Sequence, residues 1–333
     1  MNAQIAGLLR RLLPRVRDVV GIDIGASGVK AVRLRADSKR HLSVAAADIL
    51  PPVERAGGLM LPRNLLAWSA AMACSLPQAT VKLLALPADK IEGTVFADLL
   101  GVARPPEFRV GYRVFESESR SEVPVLAVGV RSAEFETLVA LLPGGKPALG
   151  SVEVSGLAAL SAYLRLCVDP GQPRCDLVID AGERITTMAL CHKGRPLVFR
   201  QFPQGAAAVI EQVMKDLGVD AATARDILNI GSIDVRASLH RVYEGFLRQL
   251  GIAIDFAERR SGQRLQKLIL SGGLAANSDW CTELHEQVGL LPEMLNPWAK
   301  MTLLPNALSA AAQGHEPCFA AATGAALNLM ESP

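Results

Sequence analysis

Aromatic side chains are scarce in this chain: three Trp, three Tyr and nine Phe among 333 residues. Net charge is nearly absent, with 35 Lys and Arg against 33 Asp and Glu, a formal +2. That balance argues against bulk nucleic-acid binding. Long apolar runs are also missing. Half of the residues are hydrophobic, yet no stretch approaches the roughly eighteen uncharged apolar residues a spanning helix needs. Runs such as 123–130 have the length of strands. The N-terminus has no apolar h-region with a cleavage site, so no secretory signal is read. The six cysteines (Cys74, Cys167, Cys175, Cys191, Cys281, Cys318) show no zinc spacing. Scattered through a long chain, they read as reduced core residues rather than a disulfide framework. The five histidines form no cluster, and there is no Walker A pattern, HExxH or nucleophile elbow. These absences point to the cytoplasm, and a length of 333 residues to two or more domains.

What is present is a repeated device. Val19 to Leu34 reads as a strand ending in Asp23, a turn of small residues (Gly25, Ala26, Ser27, Gly28) and a second, alternating strand. An acidic group at the end of a buried strand, beside such a turn, suits phosphate binding. Glycines let backbone N–H groups approach phosphate oxygens while the carboxylate holds a water on Mg²⁺. Read alone, an ordinary β-hairpin explains it equally well. Residues 175–190 repeat the pattern: Asp180 ends an apolar run, Ala181 and Gly182 follow, and Thr186 and Thr187 place hydroxyls near the turn. In residues 267–279 an apolar strand runs into Ser271-Gly272-Gly273, and a helix is expected from Asn277 or Ser278 to just before Gly289. A Gly-Gly pair after a strand lets a flat ring or ribose lie against bare backbone. The order of these three motifs is far more specific than any one of them.

That order resembles the actin, sugar-kinase and Hsp70 superfamily and, within it, the PilM family of pilus assembly proteins, relatives of the cell-division protein FtsA. The likeness extends to Gly21–Val32, Glu153–Leu160, Phe202-Pro-Gln-Gly205, Leu217–Arg225 and Asn296-Pro-Trp298. It covers roughly residues 19–330 and is thin from about 85 to 130. The resemblance implies an α/β fold, a duplicated actin-like (ribonuclease H-like) core with a small α+β domain inserted in its first half. It implies ATP or ADP with Mg²⁺ bound between the two core domains. Asp23 and Asp180 would hold the metal through water. Gly25, Ala26, Ser27, Gly28, Asp180 and Gly182 would meet phosphates, with Thr186 as a hydroxyl contact, and Gly272 and Gly273 would border the adenosine. Lys30 either reaches a phosphate or points to solvent. In PilM-like proteins an acidic residue and, shortly after it, a basic one on the helix before the Gly-Gly strand contact ribose and adenine. Here the acidic position falls on Gln249 and the basic ones on Gly251 and Ile252, so weakened nucleotide binding is expected.

The expected organisation is a basic extension (1–18), a first core domain (19–85 and 148–170), an inserted domain (86–147) and a second core domain (171–330). A helix is expected over 63–74. In the PilM family a groove beside the inserted domain and the first core domain receives the cytoplasmic N-terminal peptide of the inner-membrane protein PilN. The resemblance therefore implies a nucleotide-binding scaffold of a type IV pilus or related secretion machine, held at the inner membrane through partners that include other platform proteins. It would be at most a weak ATPase, because no catalytic base stands out; Glu153 and Asp169 read better as salt-bridge or surface groups. Two other readings remain open: a nucleotide-free scaffold resembling the secretion protein GspL, and a small-molecule kinase of the same superfamily. Residues 1–17, with Ile5, Leu8, Leu9, Leu12 and Leu13 at helical spacing among arginines, read as a frayed or packed extension, or as a basic helix lying on an anionic membrane.

Overall fold

A computed structural model describes residues 16–53, 58–103, 106–115, 121–142, 144–169 and 172–331. All but the last two residues of the basic segment 1–17, whether a frayed or packed extension or a membrane-lying helix, lie outside the described residues. The strands are β1 (Asp18–Gly25), β2 (Gly28–Ala36), β3 (Leu42–Leu50), β4 (Ser69–Cys74), β5 (Thr80–Leu86), β6 (Phe108–Val114), β7 (Val123–Arg131), β8 (Ala148–Val154), β9 (Cys175–Ala181), β10 (Thr186–His192), β11 (Arg195–Phe202), β12 (Leu265–Ser271), β13 (Pro292–Met294) and β14 (Thr302–Leu303). The α-helices are α1 (Phe96–Leu100), α2 (Ser132–Val139), α3 (Ser155–Leu166), α4 (Ala206–Leu217), α5 (Ala221–Ile230), α6 (Arg236–Ser261), α7 (Ser278–Val288) and α8 (Ala320–Glu331). The chain divides into two compact units, one of residues 1–74, 139–162 and 297–333, the other of 75–138 and 163–296.

The first unit is built on a six-stranded sheet of order β14-β3-β2-β1-β4-β8. β1, β2 and β3 form an antiparallel meander, while β4 and β8 run parallel to β1. Small residues let α8 lie directly on this sheet. A Cβ on Gly21 of β1 would come within 1.9 Å of the Ala322 carbonyl oxygen, and one on Gly324 within 1.8 Å of that of Ala158 in α3. At both positions glycine is required by backbone approach.

The second unit repeats the plan in a five-stranded sheet of order β11-β10-β9-β12-β13. Here β9, β10 and β11 are the antiparallel meander, and β12 and β13 run parallel to β9. Its core joins Leu177, Ile179, Met188 and Leu190 to one side of α6, with Trp280, Tyr243 and Phe246 in mutual ring contact. A separate three-stranded sheet, β5-β7-β6, packs against α1 through Phe96, Leu100, Val125 and Ala127.

Two expectations about local structure need correction. Residues 63–74, expected as a helix, form a single 3₁₀ turn (Arg63–Leu65) and then β4. Ser-Ala-Ala-Met-Ala-Cys has helical propensity, but β4 lies between β1 and β8, and Ala70 to Cys74 are all buried. Sheet pairing on both sides overrides propensity there. The strand 80–86, expected to close the first core domain, hydrogen-bonds instead to β7 in the small sheet.

Candidate functional site

Asp23 lies two residues before the end of β1 and Asp180 one before the end of β9, each near the carboxyl end of strands that run in parallel. Crevices outside the carboxyl ends of parallel strands are where open α/β sheets bind ligands. The Gly25 to Gly28 turn is a two-residue loop, with Gly25 paired to Gly28 and Ala26 and Ser27 exposed. Gly28 has φ of 140°, and a Cβ there would meet the Leu50 carbonyl oxygen at 2.8 Å. The two readings of the motif therefore share one geometry: the phosphate-type turn is a tight hairpin. Lys30 points over it rather than to solvent. Its Nζ donates to Ser27 Oγ (3.0 Å) and to the Gly28 carbonyl (3.4 Å).

The Asp23 carboxylate accepts a hydrogen bond from Ser155 Oγ at 2.6 Å. Burial pushes its carboxyl above the usual range, opposed by the Ser155 hydroxyl and the Lys30 charge. The half-buried carboxylate keeps one oxygen for another ligand. Mg²⁺ takes one or two carboxylates plus waters and phosphates rather than an all-protein cage. Asp23 fits that habit, and among the described residues no cluster of three or more His, Cys, Asp or Glu forms a cage.

Around Asp180 the device recurs in a different form. Ser271, its register partner on β12, donates Oγ to the Asp180 carboxylate at 2.8 Å. Gly272 follows with φ of 86°, and a Cβ there would lie 2.4 Å from the Ala181 carbonyl oxygen. Gly273 is exposed, with nothing within 4 Å of a Cβ. The helix α7 then begins at Ser278, capped by Asn277 as expected. Asp180, Gly182, Ser271, Gly272 and Gly273 are thus gathered at one end of the sheet.

Gly182 has a structural duty. Its N–H donates to Ile185 and its carbonyl accepts from Ala206, the first residue of α4. Gly205, which precedes that helix, could not carry a Cβ without meeting the Gly182 carbonyl oxygen at 2.5 Å. Glu183 is pinned by Arg225 of α5 at 2.9 Å. Thr186 is not available as a ligand contact. It is fully buried, and its hydroxyl is 3.1 Å from that of Tyr243 inside the core. Gln249 stands apart as well. Its carboxamide oxygen accepts from Arg200 of β11, at the edge of the sheet away from β12.

Sequence reading missed Ser155 and Gly205 as site-supporting residues. A Ser at a strand-to-helix junction and a Gly just before a helix were the available signals. Glu153 accepts from Asn328 of α8 at 2.6 Å, in keeping with a structural role.

Two sheets of the same plan, each with an acidic strand end beside a small-residue turn, and a small sheet inserted after β4, define an actin-like protein. The match to the model for type IV pilus assembly protein PilM covers residues 109–330, and the chain belongs to that family. A solved PilM–PilN type IV pilus biogenesis complex is similar at 21% identity and a TM-score of 0.76, covering 95% of this chain and 99% of that one. More distant likenesses are the ethanolamine utilization protein EutJ of Carboxydothermus hydrogenoformans (15% identity, TM-score 0.48, 95% of this chain and 90% of that one). Another is MreB 5 of Spiroplasma citri bound to AMPPNP (11%, 0.47, 93% and 95%). Among the described residues no helix is long and apolar enough to cross a membrane.

Proposed function

We propose that this protein is a nucleotide-binding scaffold of a type IV pilus or related assembly machine, which takes up the N-terminal peptide of a PilN-like inner-membrane partner. The observation that carries the nucleotide reading is the pair of aspartates, Asp23 and Asp180. Each lies near the end of a strand beside a small-residue turn, and each is held by a serine hydroxyl. In this reading Asp23, with Asp180, orients the water shell of Mg²⁺. The first turn and Lys30 meet phosphate oxygens, and Gly273 offers open backbone to the nucleoside. Bound Mg²⁺ would supply charge neutralisation for the phosphates. The role is conformational: a nucleotide that prefers one arrangement of the chain shifts its population toward that arrangement, and fast turnover is not needed. Family membership and the PilM–PilN structure support the partner reading.

A second reading, a scaffold without nucleotide, is favoured by α6. Gln249 is engaged with Arg200, and the positions expected to be basic are Gly251 and Ile252. Calorimetric titration with Mg-ATP and Mg-ADP separates the two. The nucleotide reading expects binding that Asp23→Ala abolishes. No binding at millimolar nucleotide would leave the scaffold reading. Titration of a PilN-like N-terminal peptide into the same samples tests the partner, and a silent thermogram there removes it.

A further inference from the structure

Within the second unit, the acidic turn after β9 and the Gly-Gly turn after β12 are fastened to each other through the backbone. Leu274 N–H donates to the Ala181 carbonyl at 3.2 Å, beside Gly272, where a Cβ would lie 2.4 Å from that same oxygen. Ala275 N–H closes the turn on the Gly272 carbonyl. A second tie runs through α5. The Asn277 carboxamide donates to the Leu228 carbonyl at 2.7 Å, and Arg225, three residues earlier on the same helix, holds Glu183. The segments 180–183 and 271–277 thus belong to one closed frame.

The Ser271 link in this frame is of a different kind. Ser271 is fully buried, and its hydroxyl donates to the Asp180 carboxylate at 2.8 Å. A hydroxyl has one proton to give, so that bond sets its rotor. Hydrogen bonds to a carboxylate are roughly twice as strong as neutral ones, and burial strengthens them further. The backbone bonds hold the turn whatever the charge nearby, whereas the hydroxyl responds to what faces Asp180. Gly272 and the open backbone of Gly273 follow Ser271 directly.

From this arrangement we infer that Ser271 is a positioning residue that couples the two halves of the ligand. It passes the order imposed on Asp180, on the metal and phosphate side, to the Gly272-Gly273 backbone on the nucleoside side. The inference rests on the nucleotide reading above. The site then favours a nucleotide carrying its metal by more than the separate contacts add up to. Coupling of this kind is reciprocal: what the metal diphosphate adds to nucleoside affinity, the nucleoside adds to metal diphosphate affinity.

The experiment splits the ligand. Adenosine affinity is read by ligand-observed NMR on the full protein, alone and with saturating Mg-pyrophosphate, for the wild type and Ser271→Ala. Adenosine carries no phosphate, so a gain caused by Mg-pyrophosphate is transmitted through the protein. The gain should be about tenfold in the wild type and no more than about threefold in Ser271→Ala. It should vanish when EDTA removes the metal. Equal gains in wild type and variant would overturn the proposal, as would a gain that survives EDTA. Adenosine affinity lowered by one common factor with and without Mg-pyrophosphate is the mark of a merely structural serine, and overturns it too. A melting curve checks folding. If the alanine variant does not fold, Ser271→Cys, of similar volume and a weaker donor, takes its place. Wild-type protein that does not bind Mg-ADP removes the nucleotide reading and this inference with it. Wild-type protein that binds Mg-ADP but shows no gain for adenosine removes the coupling alone.

Discussion

Burial raises the Asp23 carboxyl, and the Ser155 hydroxyl and the Lys30 ammonium bring it only part of the way back. A carboxyl whose folded pKa exceeds its unfolded one binds its proton more tightly in the native state. Stability then falls as pH rises from the unfolded value through the folded one. Asp23→Asn should therefore raise the melting temperature of the nucleotide-free protein at neutral pH. The gain should shrink as pH is lowered into the range of an ordinary carboxyl; a lower melting temperature at neutral pH would contradict the sign. Ser155→Ala should weaken Mg-ADP binding about tenfold, near the 1.4 kcal/mol low end of a hydrogen bond to a charged group. Binding of ADP in EDTA should change little, the melting temperature should fall because a buried carboxylate loses its donor, and Ser155→Thr should restore both. The neighbouring glycines separate fold from ligand. Gly272→Ala must strain a left-handed turn against the Ala181 backbone and should destabilise. Gly273→Ala meets nothing, so its melting temperature should stay while nucleotide affinity falls. The aspartates were legible in the sequence because each lies beside its own turn. Ser155 was not, because its bond to Asp23 joins positions 132 residues apart.

At the scale of elements, the same residue type can carry opposite consequences. Gly324 and Gly251 both sit inside helices, and helix propensity alone would favour alanine at each. The structure separates them. A Cβ on Gly324 would come within 1.8 Å of a backbone oxygen of α3, which cannot swing away. Gly324→Ala should therefore cost about 1–3 kcal/mol or more, as overpacking does. Gly251 has nothing within 4 Å, and Gly251→Ala should add about 0.4–1 kcal/mol, read by chemical denaturation. A loss at Gly251 or a gain at Gly324 would mean that the helices pack differently. This contrast also marks what local pattern can tell. The meanders β1–β3 and β9–β11 announced themselves by alternation and turn residues. β4 did not, because a short strand of Ala, Met and Cys buried between two parallel neighbours looks like a helix until its partners are known.

Taken whole, the chain holds two units, each with its own meander sheet and a buried cluster on it: Val20, Ile22, Val29 and Leu65 in one, Leu177, Ile179, Tyr243 and Trp280 in the other, which also carries the small sheet. The duplication was visible in the sequence as two acidic turns about 160 residues apart, since each half must solve the same local problem in its own chain segment. The allocation of residues to the units was less visible, because it depends on which strand pairs with which; β5 is the example. Separate cores make a single all-or-none transition an unsafe assumption for a chain this long. In scanning calorimetry the enthalpy from the peak area should exceed the van't Hoff enthalpy. Gly324→Ala, in the first unit, should lower one transition, and Gly251→Ala, in the second, should raise the other. If both substitutions move one shared peak, the units unfold together. Stabilisation gained in either would then spread over the whole protein, and a ligand held by one turn would protect both cores by the same mass action.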